Sequence, residues 1–301
     1  MIIQNITAWF YFGAWRILRW LPEKFVYANA YRLADFATKK NGKSVQRLRS
    51  NLARTQKDIT DLDLELLLYK AMRSSARYWC DTFRLPDWSM QRIQGTVTAT
   101  HEHLLLDAIE SNSGAVVTVA HAGNYDHAAA YFCSKGAKIV TVAERLKPEA
   151  LFKKFMAYRE AFGMESLPID GRVIPTLMQR IRQGGIVALA ADRDLSRTGI
   201  NVTFFDGPAR MPAGPALLAI RTGVPLIYAA ISYTDSGIHI EFELVPISMT
   251  GTETERIAAT VQNNADLFAQ GIARNPHDWH MLQRIWIDGD FREREYCSRR
   301  N

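Results

Sequence analysis

The chain has 301 residues, 48% of them apolar and 23% charged, so it can bury a full core, and its composition excludes an intrinsically disordered protein. The net charge of +6 and the pI near 9.2 indicate an anionic partner such as nucleic acid, a lipid surface or a phosphorylated substrate. Three widely spaced cysteines (Cys80, Cys133 and Cys297) favour a reducing compartment over a disulfide framework.

The N-terminal segment, residues 6–21, is rich in aromatic residues and reads ITAWFYFGAWRILRWL. The uncharged run over 1–15 is shorter than the roughly 20 residues that cross a bilayer. Its first positive charges follow the apolar run, whereas in a secretory signal they precede it. Trp9, Trp15 and Trp20 with Arg16 and Arg19 fit a helix lying in a membrane interface, although the same pattern fits a core helix.

A basic segment follows, with seven basic residues and no acidic one between Lys39 and Lys57. Its position near the aromatic segment combines the apolar insertion and basic attraction that stable binding to anionic lipid requires. A solvated face and a nucleic-acid arm are the alternatives. Nucleic acid is disfavoured because the sequence has no zinc-finger spacing, no basic helix with heptads and no aromatic RNA-binding motif.

The pattern predicts a helix over 61–84 and, beyond about residue 92, alternating strands and helices. The predicted strands are 96–99, 115–119, 139–142, 186–190, 226–232 and 238–245, and the predicted helices are 103–111, one after Asn124, 148–162, 173–183 and 212–222. This is an α/β fold with a mostly parallel or mixed central sheet flanked by helices. We divide the chain into a helical membrane-associating region, 1–90, and an α/β core, 91–301, which together form one compact unit.

The most informative stretch is GAVVTVAHAGNYDHAAAYFCS, residues 114–134. His121 follows a buried strand, Asn124 is a plausible helix N-cap, and Asp126 lies in the first helical turn. A histidine oriented by a carboxylate can act as a general base, and open α/β sheets bind ligands at the carboxyl ends of their strands.

Asp192 stands at the end of the 186–190 strand just as His121 stands at the end of its own. If the two strands are neighbours, Asp126 and Asp192 compete to orient His121. Arg145 and Arg159 lie near the same rim and would serve a phosphorylated substrate, although a surface charge is the alternative for Arg159. Near the C-terminus, His277, Asp278 and His280 lie close together in the sequence. They could form a metal site, but a packed Trp279 with capping polar groups is the favoured interpretation.

Six motifs follow one another along the chain: His121-x4-Asp126, Arg145 with Pro148, Arg159 before Gly163, DRDL, VTFFDG and a P-x-G helix start. Taken in order, they resemble the lysophospholipid acyltransferase superfamily, in particular the branch of bacterial lipid A biosynthesis acyltransferases. Within that branch, AERLKPEALF, ADRDLSRTGINVTFF and RMPAGPALLA resemble the actinobacterial phosphatidylinositol mannoside acyltransferases. The resemblance covers most of the chain, including residues 51–54 and the Trp279 region.

The resemblance implies a peripheral enzyme on the cytoplasmic face of the cell membrane that moves a long acyl chain, typically palmitoyl, from acyl-CoA to the 6-hydroxyl of a mannose on phosphatidylinositol mannoside. His121 would be the base and Asp126 the motif acid, and Asp192 falls where the mannoside enzymes carry a catalytic glutamate.

The resemblance also implies substrate contacts for Asn124, Arg145, Arg159 and Thr198. Acyl-CoA would be a co-substrate, and neither a metal nor a resident cofactor is expected. Another lipid acceptor, such as a lysophospholipid or a lipid A precursor, and a non-catalytic lipid-binding protein are the rival hypotheses.

Overall fold

The N-terminal part of the chain is helical. A computed structural model describes residues 19–143, 149–169, 172–194 and 199–288, together with Gly13 and Arg16. From Glu23 onward the first three helices are α1 (Glu23–Lys40), α2 (Lys43–Ala53) and α3 (Asp61–Arg84). Thr60 caps α3 by accepting a hydrogen bond from the Asp63 amide, so the predicted helix over 61–84 is confirmed. None of the described helices is both long enough and apolar enough to cross a bilayer.

Strands and helices alternate in the rest of the chain, after a 3₁₀ turn (Leu85–Asp87) and the short helix α4 (Met90–Gly95). The strands are β1 (Val97–Thr100), β2 (Ala115–Val119), β3 (Ile139–Ala143), β4 (Glu165–Pro168), β5 (Ile186–Ala190), β6 (Ile200–Phe204), β7 (Gly207–Met211), β8 (Leu226–Tyr233) and β9 (Ile238–Leu244). The helices are α5 (His103–Glu110), α6 (Tyr125–Ser134), α7 (Glu149–Glu160), α8 (Val173–Arg182), α9 (Gly214–Thr222) and α10 (Glu253–Arg274), and a 3₁₀ turn (Pro276–Asp278) follows them.

Seven of these strands form the central sheet, in the order β1-β9-β8-β2-β5-β3-β4. Every neighbouring pair is parallel except β8 and β9, so the predicted mostly parallel mixed sheet is confirmed. All five residues of β2 are buried because this strand lies in the middle of the sheet and is covered on both faces. β6 and β7 form a separate antiparallel hairpin.

Among the elements of the α/β region that were not predicted from the sequence are β4, the β6–β7 hairpin and the long helix α10. β4 is a four-residue edge strand that ends in a proline, which weakens any strand signal. The β6–β7 hairpin mixes polar residues and a Gly-Pro pair with its apolar positions. The long helix α10 did have a readable start signal, a capping box between Thr252 and Glu255.

The segment after α10 crosses the carboxyl edge of the sheet, and we call residues 279–286 the C-terminal strap. Asn51 on α2 holds it. The side-chain amide of Asn51 donates to the carbonyls of Met281 (2.7 Å) and Gln283 (2.9 Å), and its oxygen accepts from the Trp286 indole (2.9 Å). Asn51 is almost completely buried. The N-terminal helices therefore fix a segment that belongs to the α/β region.

We expect Asn51→Ala to lower the free energy of unfolding by about 2–4 kcal/mol, because it removes three hydrogen bonds and leaves buried polar groups without partners. Urea unfolding measures this. Asn29→Ala, which removes a single side-chain bond to the Phe25 carbonyl on α1, is the matched control and should change stability by less than about 0.5 kcal/mol. Equal losses in both variants would contradict the clamping role of Asn51.

Candidate active site

The parallel register of β2 and β5 brings His121 and Asp192 together. Val119 pairs with Ala190, and the Ala191 amide donates to the Val119 carbonyl, so the segments that follow β2 and β5 continue side by side beyond the strands. His121 Nδ1 and Asp192 Oδ1 are 2.5 Å apart. The expectation that the two residues converge at one rim of the sheet is therefore met in the geometry. An aspartate is long enough to reach the histidine directly.

Asp192 is completely buried, and both of its carboxylate oxygens are bonded. Oδ1 faces the His121 ring, whereas Oδ2 accepts from the His121 amide (3.0 Å) and from the Trp279 indole (2.9 Å). Burial alone would raise the pKa of this carboxyl, but the attraction of His121 and these hydrogen bonds outweigh burial and hold the pKa below its usual value.

An ionised carboxylate can only accept hydrogen bonds, so the short contact requires a proton on Nδ1 of His121. The other ring nitrogen, Nε2, is then left with a lone pair in the neutral ring. Because the His121 side chain is 28% exposed, this nitrogen can meet a substrate. The arrangement is that of a general base held by a carboxylate.

Asp126 has a different set of contacts. Its Oδ1 accepts from Arg159 Nε at 3.0 Å, and its Oδ2 accepts from the Tyr78 hydroxyl at 3.1 Å. The hydroxyl of Tyr78 lies 2.7 Å from that of Tyr125. The pKa of Arg159 is raised: burial would lower it, but the charge of Asp126 has the larger opposite effect together with the nearby tyrosines. Asp126 thus anchors Arg159, which is not an isolated surface charge, and Asp192 is the carboxylate that contacts the His121 ring.

The remaining candidate residues differ in what the structure describes. Asn124 is fully buried and caps α6, with its side-chain oxygen accepting from the His127 amide at 2.9 Å. Asn124 therefore fixes the start of α6. Arg145 and Thr198 lie outside the described residues. At the C-terminus, Asp278 accepts from Ser74 and from the Tyr233 amide. The described residues contain no group of three ligands suited to a metal.

An apolar cavity of about 320 Å³ opens beside His121, between one face of the sheet and helices α6 and α7. Ala188 and Ala190 on β5 and Ala128 and Ala129 on α6 line it, and their small side chains leave the space. Bulky side chains lie at the far end, where β3 and β5 begin: Phe132, Ile139, Met164 and Ile186. The cavity is suited to a long apolar group whose polar end lies near His121.

The helical region supplies site residues that the sequence analysis treated as scaffold or missed. Tyr78 and Trp79 on α3 line the cavity mouth, and so does Arg193, which follows Asp192. Arg193 also donates to the side-chain oxygen of Gln283 in the C-terminal strap. The helical periodicity of α3 can be recognised in the sequence, but only the tertiary fold brings Tyr78 and Trp79 over the end of β2.

The model of the bacterial lipid A biosynthesis acyltransferase family matches residues 1–287. Curated relatives include the phosphatidylinositol mannoside acyltransferase of Mycobacterium tuberculosis, 37% identical over 95% of this chain and 90% of the relative. The enzyme of the same name from Mycolicibacterium smegmatis is 36% identical over 94% of this chain and 92% of the relative. The chain therefore belongs to the bacterial lipid A biosynthesis acyltransferase family.

Proposed function

We propose that this acyltransferase moves a long acyl chain from acyl-CoA to the 6-hydroxyl of a mannose on phosphatidylinositol mannoside, with palmitoyl as the expected chain. The single observation that carries the proposal is His121, held by buried Asp192 at the mouth of the apolar cavity. The acceptor comes from the names of the curated relatives, which match almost the full length of the chain.

His121 acts as the general base in this reaction. Its Nε2 takes the proton of the acceptor hydroxyl as the hydroxyl oxygen attacks the thioester carbonyl. The carbon–sulfur bond then breaks, and the CoA thiolate leaves and is protonated by the imidazolium. Asp192 holds the ring with Nδ1 protonated and stabilises its positive charge. No covalent enzyme intermediate forms, and general-base help of this kind accounts for about 10²- to 10⁴-fold in rate.

The length of the apolar cavity supports a long acyl chain. Ile186 lies at its far end and Ala190, four strand residues further, also lines it. At about 3.3 Å per strand residue the cavity follows β5 for about 13 Å. An extended hydrocarbon chain advances about 1.25 Å per carbon when its bonds are about 1.5 Å long, so this stretch alone takes about ten carbons.

The exposed face of α1 supports membrane association. Phe25, Leu33 and Phe36 on this face are 55%, 68% and 59% exposed, which is unusual for large apolar side chains. Exposed lysines, Lys39 and Lys40, lie at the end of the same helix. Most of the aromatic segment, including Trp9 and Trp15, lies outside the described residues, but Trp20 is 79% exposed. We infer a peripheral enzyme whose α1 contacts anionic lipid.

The direct test is release of free thiol from palmitoyl-CoA with and without phosphatidylinositol mannosides. We expect release that depends on the acceptor and that is lost in His121→Ala. His239→Ala, on β9 and bonded to Thr98 and Thr100, is the matched control and should retain normal activity. Near-normal activity of His121→Ala would refute the proposed mechanism. Release only with another lipid acceptor would refute the proposed substrate.

The two carboxylates should differ in their effect on turnover. We expect Asp192→Asn to lower kcat by about 10²-fold or more, because the ring loses the charge that fixes its tautomer. Asp126→Asn should lower kcat less and destabilise the fold, because Arg159 loses its buried partner. Both rates are measured per folded enzyme. A larger fall of kcat in Asp126→Asn would assign the orienting role to Asp126 instead.

A bulky residue in the middle of the cavity should shorten the preferred acyl chain. We expect Ala188→Phe to lower kcat/KM for palmitoyl-CoA at least tenfold while octanoyl-CoA is used as well as by the wild type, because only the longer chain passes residue 188. Octanoyl-CoA thus serves as the control within the same variant. Equal losses with both donors would argue that the acyl chain does not enter this cavity.

Binding to anionic vesicles should weaken with salt, because charge screening reduces the attraction of the exposed lysines. We expect Lys39→Ala to weaken this binding about fivefold, from roughly 1 kcal/mol per lysine at the membrane surface. Lys138→Ala, an exposed lysine just before β3, is the matched control and should bind as the wild type does. Vesicle co-sedimentation measures both. Binding that does not respond to salt would assign the membrane contact to the apolar side chains alone.

A further inference from the structure

We propose that His280 binds the acyl acceptor: its Nδ1 accepts a hydrogen bond from a hydroxyl next to the one that His121 deprotonates, which selects a polyhydroxylated headgroup. This inference rests on the proposed function and adds a recognition site to it. It follows from a second cavity at His121 and from the hydrogen bonds that fix the His280 ring.

The second cavity has a volume of about 210 Å³ and lies on the side of the C-terminal strap. It shares His121, Tyr78 and Arg193 with the apolar cavity, so the two meet at the base. Its own lining includes Ser75 and His280, with Gln283 of the strap. A hydroxyl-bearing group in this cavity reaches His121 from a different side than an acyl chain in the apolar cavity.

The hydrogen bonds of Ser74 determine which nitrogen of His280 carries the proton. The Ser74 hydroxyl donates to Asp278 Oδ1 at 2.6 Å, which uses its single hydrogen. Ser74 Oγ also lies 2.9 Å from His280 Nε2, and it can take part there only as an acceptor. Nε2 is therefore protonated, and Nδ1 of the neutral ring keeps its lone pair.

Other contacts keep the ring neutral and in place. Burial is the main cause that lowers the pKa of His280 to about 3, and the nearby imidazoles of His121 and His277 act in the same direction, because a charge on either ring would oppose a second charge on His280. The His280 amide donates to the His121 carbonyl at 2.8 Å, so the two histidines are joined through their backbones. The ring also packs against Tyr78, with ring centres 5.9 Å apart. His280 thus presents an uncharged hydrogen-bond acceptor in the cavity that His121 also lines.

A polyol is the substrate class that uses such a pair of nitrogens. His121 Nε2 accepts the proton of the reacting hydroxyl, while a neighbouring hydroxyl on the same ring of the acceptor donates to His280 Nδ1. A lysophospholipid whose glycerol carries a single free hydroxyl can engage only His121. The pair therefore discriminates between acceptors by the number of adjacent hydroxyl groups that they offer.

Two conservative variants separate recognition from structural support. Asn at position 280 keeps a polar group where Nδ1 lies and loses the Ser74 contact, whereas Gln reaches Ser74 and leaves the Nδ1 position empty. We expect His280→Gln to raise KM for phosphatidylinositol mannoside about 3- to 10-fold, the effect of one hydrogen bond, with KM for palmitoyl-CoA unchanged. His280→Asn should recover most of the acceptor affinity. His239→Gln is the control.

Transfer at saturating phosphatidylinositol mannoside separates this inference from the function on which it rests, because absence of transfer by the wild-type enzyme would refute the proposed function alone. We expect the loss in His280→Gln to fall on KM for the acceptor and not on kcat, whereas loss of transfer at every acceptor concentration would point to a role of His280 in the fold or at the thioester and would overturn the inference. A raised KM for palmitoyl-CoA, or an unchanged KM for the acceptor, would also overturn it.

Nitrogen-15 NMR of the histidine side chains gives a readout independent of activity. We expect the resonance of His280 Nδ1 in the range of an unprotonated ring nitrogen, and a shift toward the hydrogen-bonded range when phosphatidylinositol mannoside is added. His239, which the acceptor should not contact, serves as the internal control. A protonated Nδ1, or an Nδ1 resonance that does not respond to the acceptor, would contradict the proposal.

Discussion

The buried carboxylate of Asp192 is the group on which the site depends. An ionised carboxylate without partners inside a protein would be destabilised by several kcal/mol, so it persists only where its hydrogen bonds are complete. The His121 ring, the His121 amide and the Trp279 indole supply those bonds. The same contacts fix the ring of His121, so the group that stabilises the buried charge is also the group whose orientation that charge determines.

This constraint explains why distant segments meet at the carboxyl edge of the sheet. β2 and β5 bring His121 and Asp192 together, and the C-terminal strap adds Trp279 and His280. Asn51 on α2 in turn holds the strap. The N-terminal helices are therefore both a candidate membrane surface, through the exposed face of α1, and a part of the frame around the base.

The sequence carried enough information for most of the strands and for the position of His121 at a strand end, because both depend on local patterns. A buried apolar run followed by His121, Gly123 and Asn124 predicts a strand end and a helix start, and the motifs in order identify the family. The choice between Asp126 and Asp192 could not be made, because it depends on which strands are neighbours. β2 pairs with β5, which follows it by more than 60 residues, and no local pattern encodes that pairing. The roles of Tyr78, Arg193 and His280 depend on the same long-range packing.

The most direct measurement of the central claim is a structure of the enzyme with a non-hydrolysable thioether analogue of palmitoyl-CoA. The account predicts the acyl chain along β2 and β5 between the sheet and helices α6 and α7, with its end near Ile186. The carbonyl carbon should lie beside His121 Nε2, with Nδ1 still bonded to Asp192. An acyl chain bound outside this cavity, or a carbonyl beyond the reach of a hydroxyl held by His121, would contradict the account.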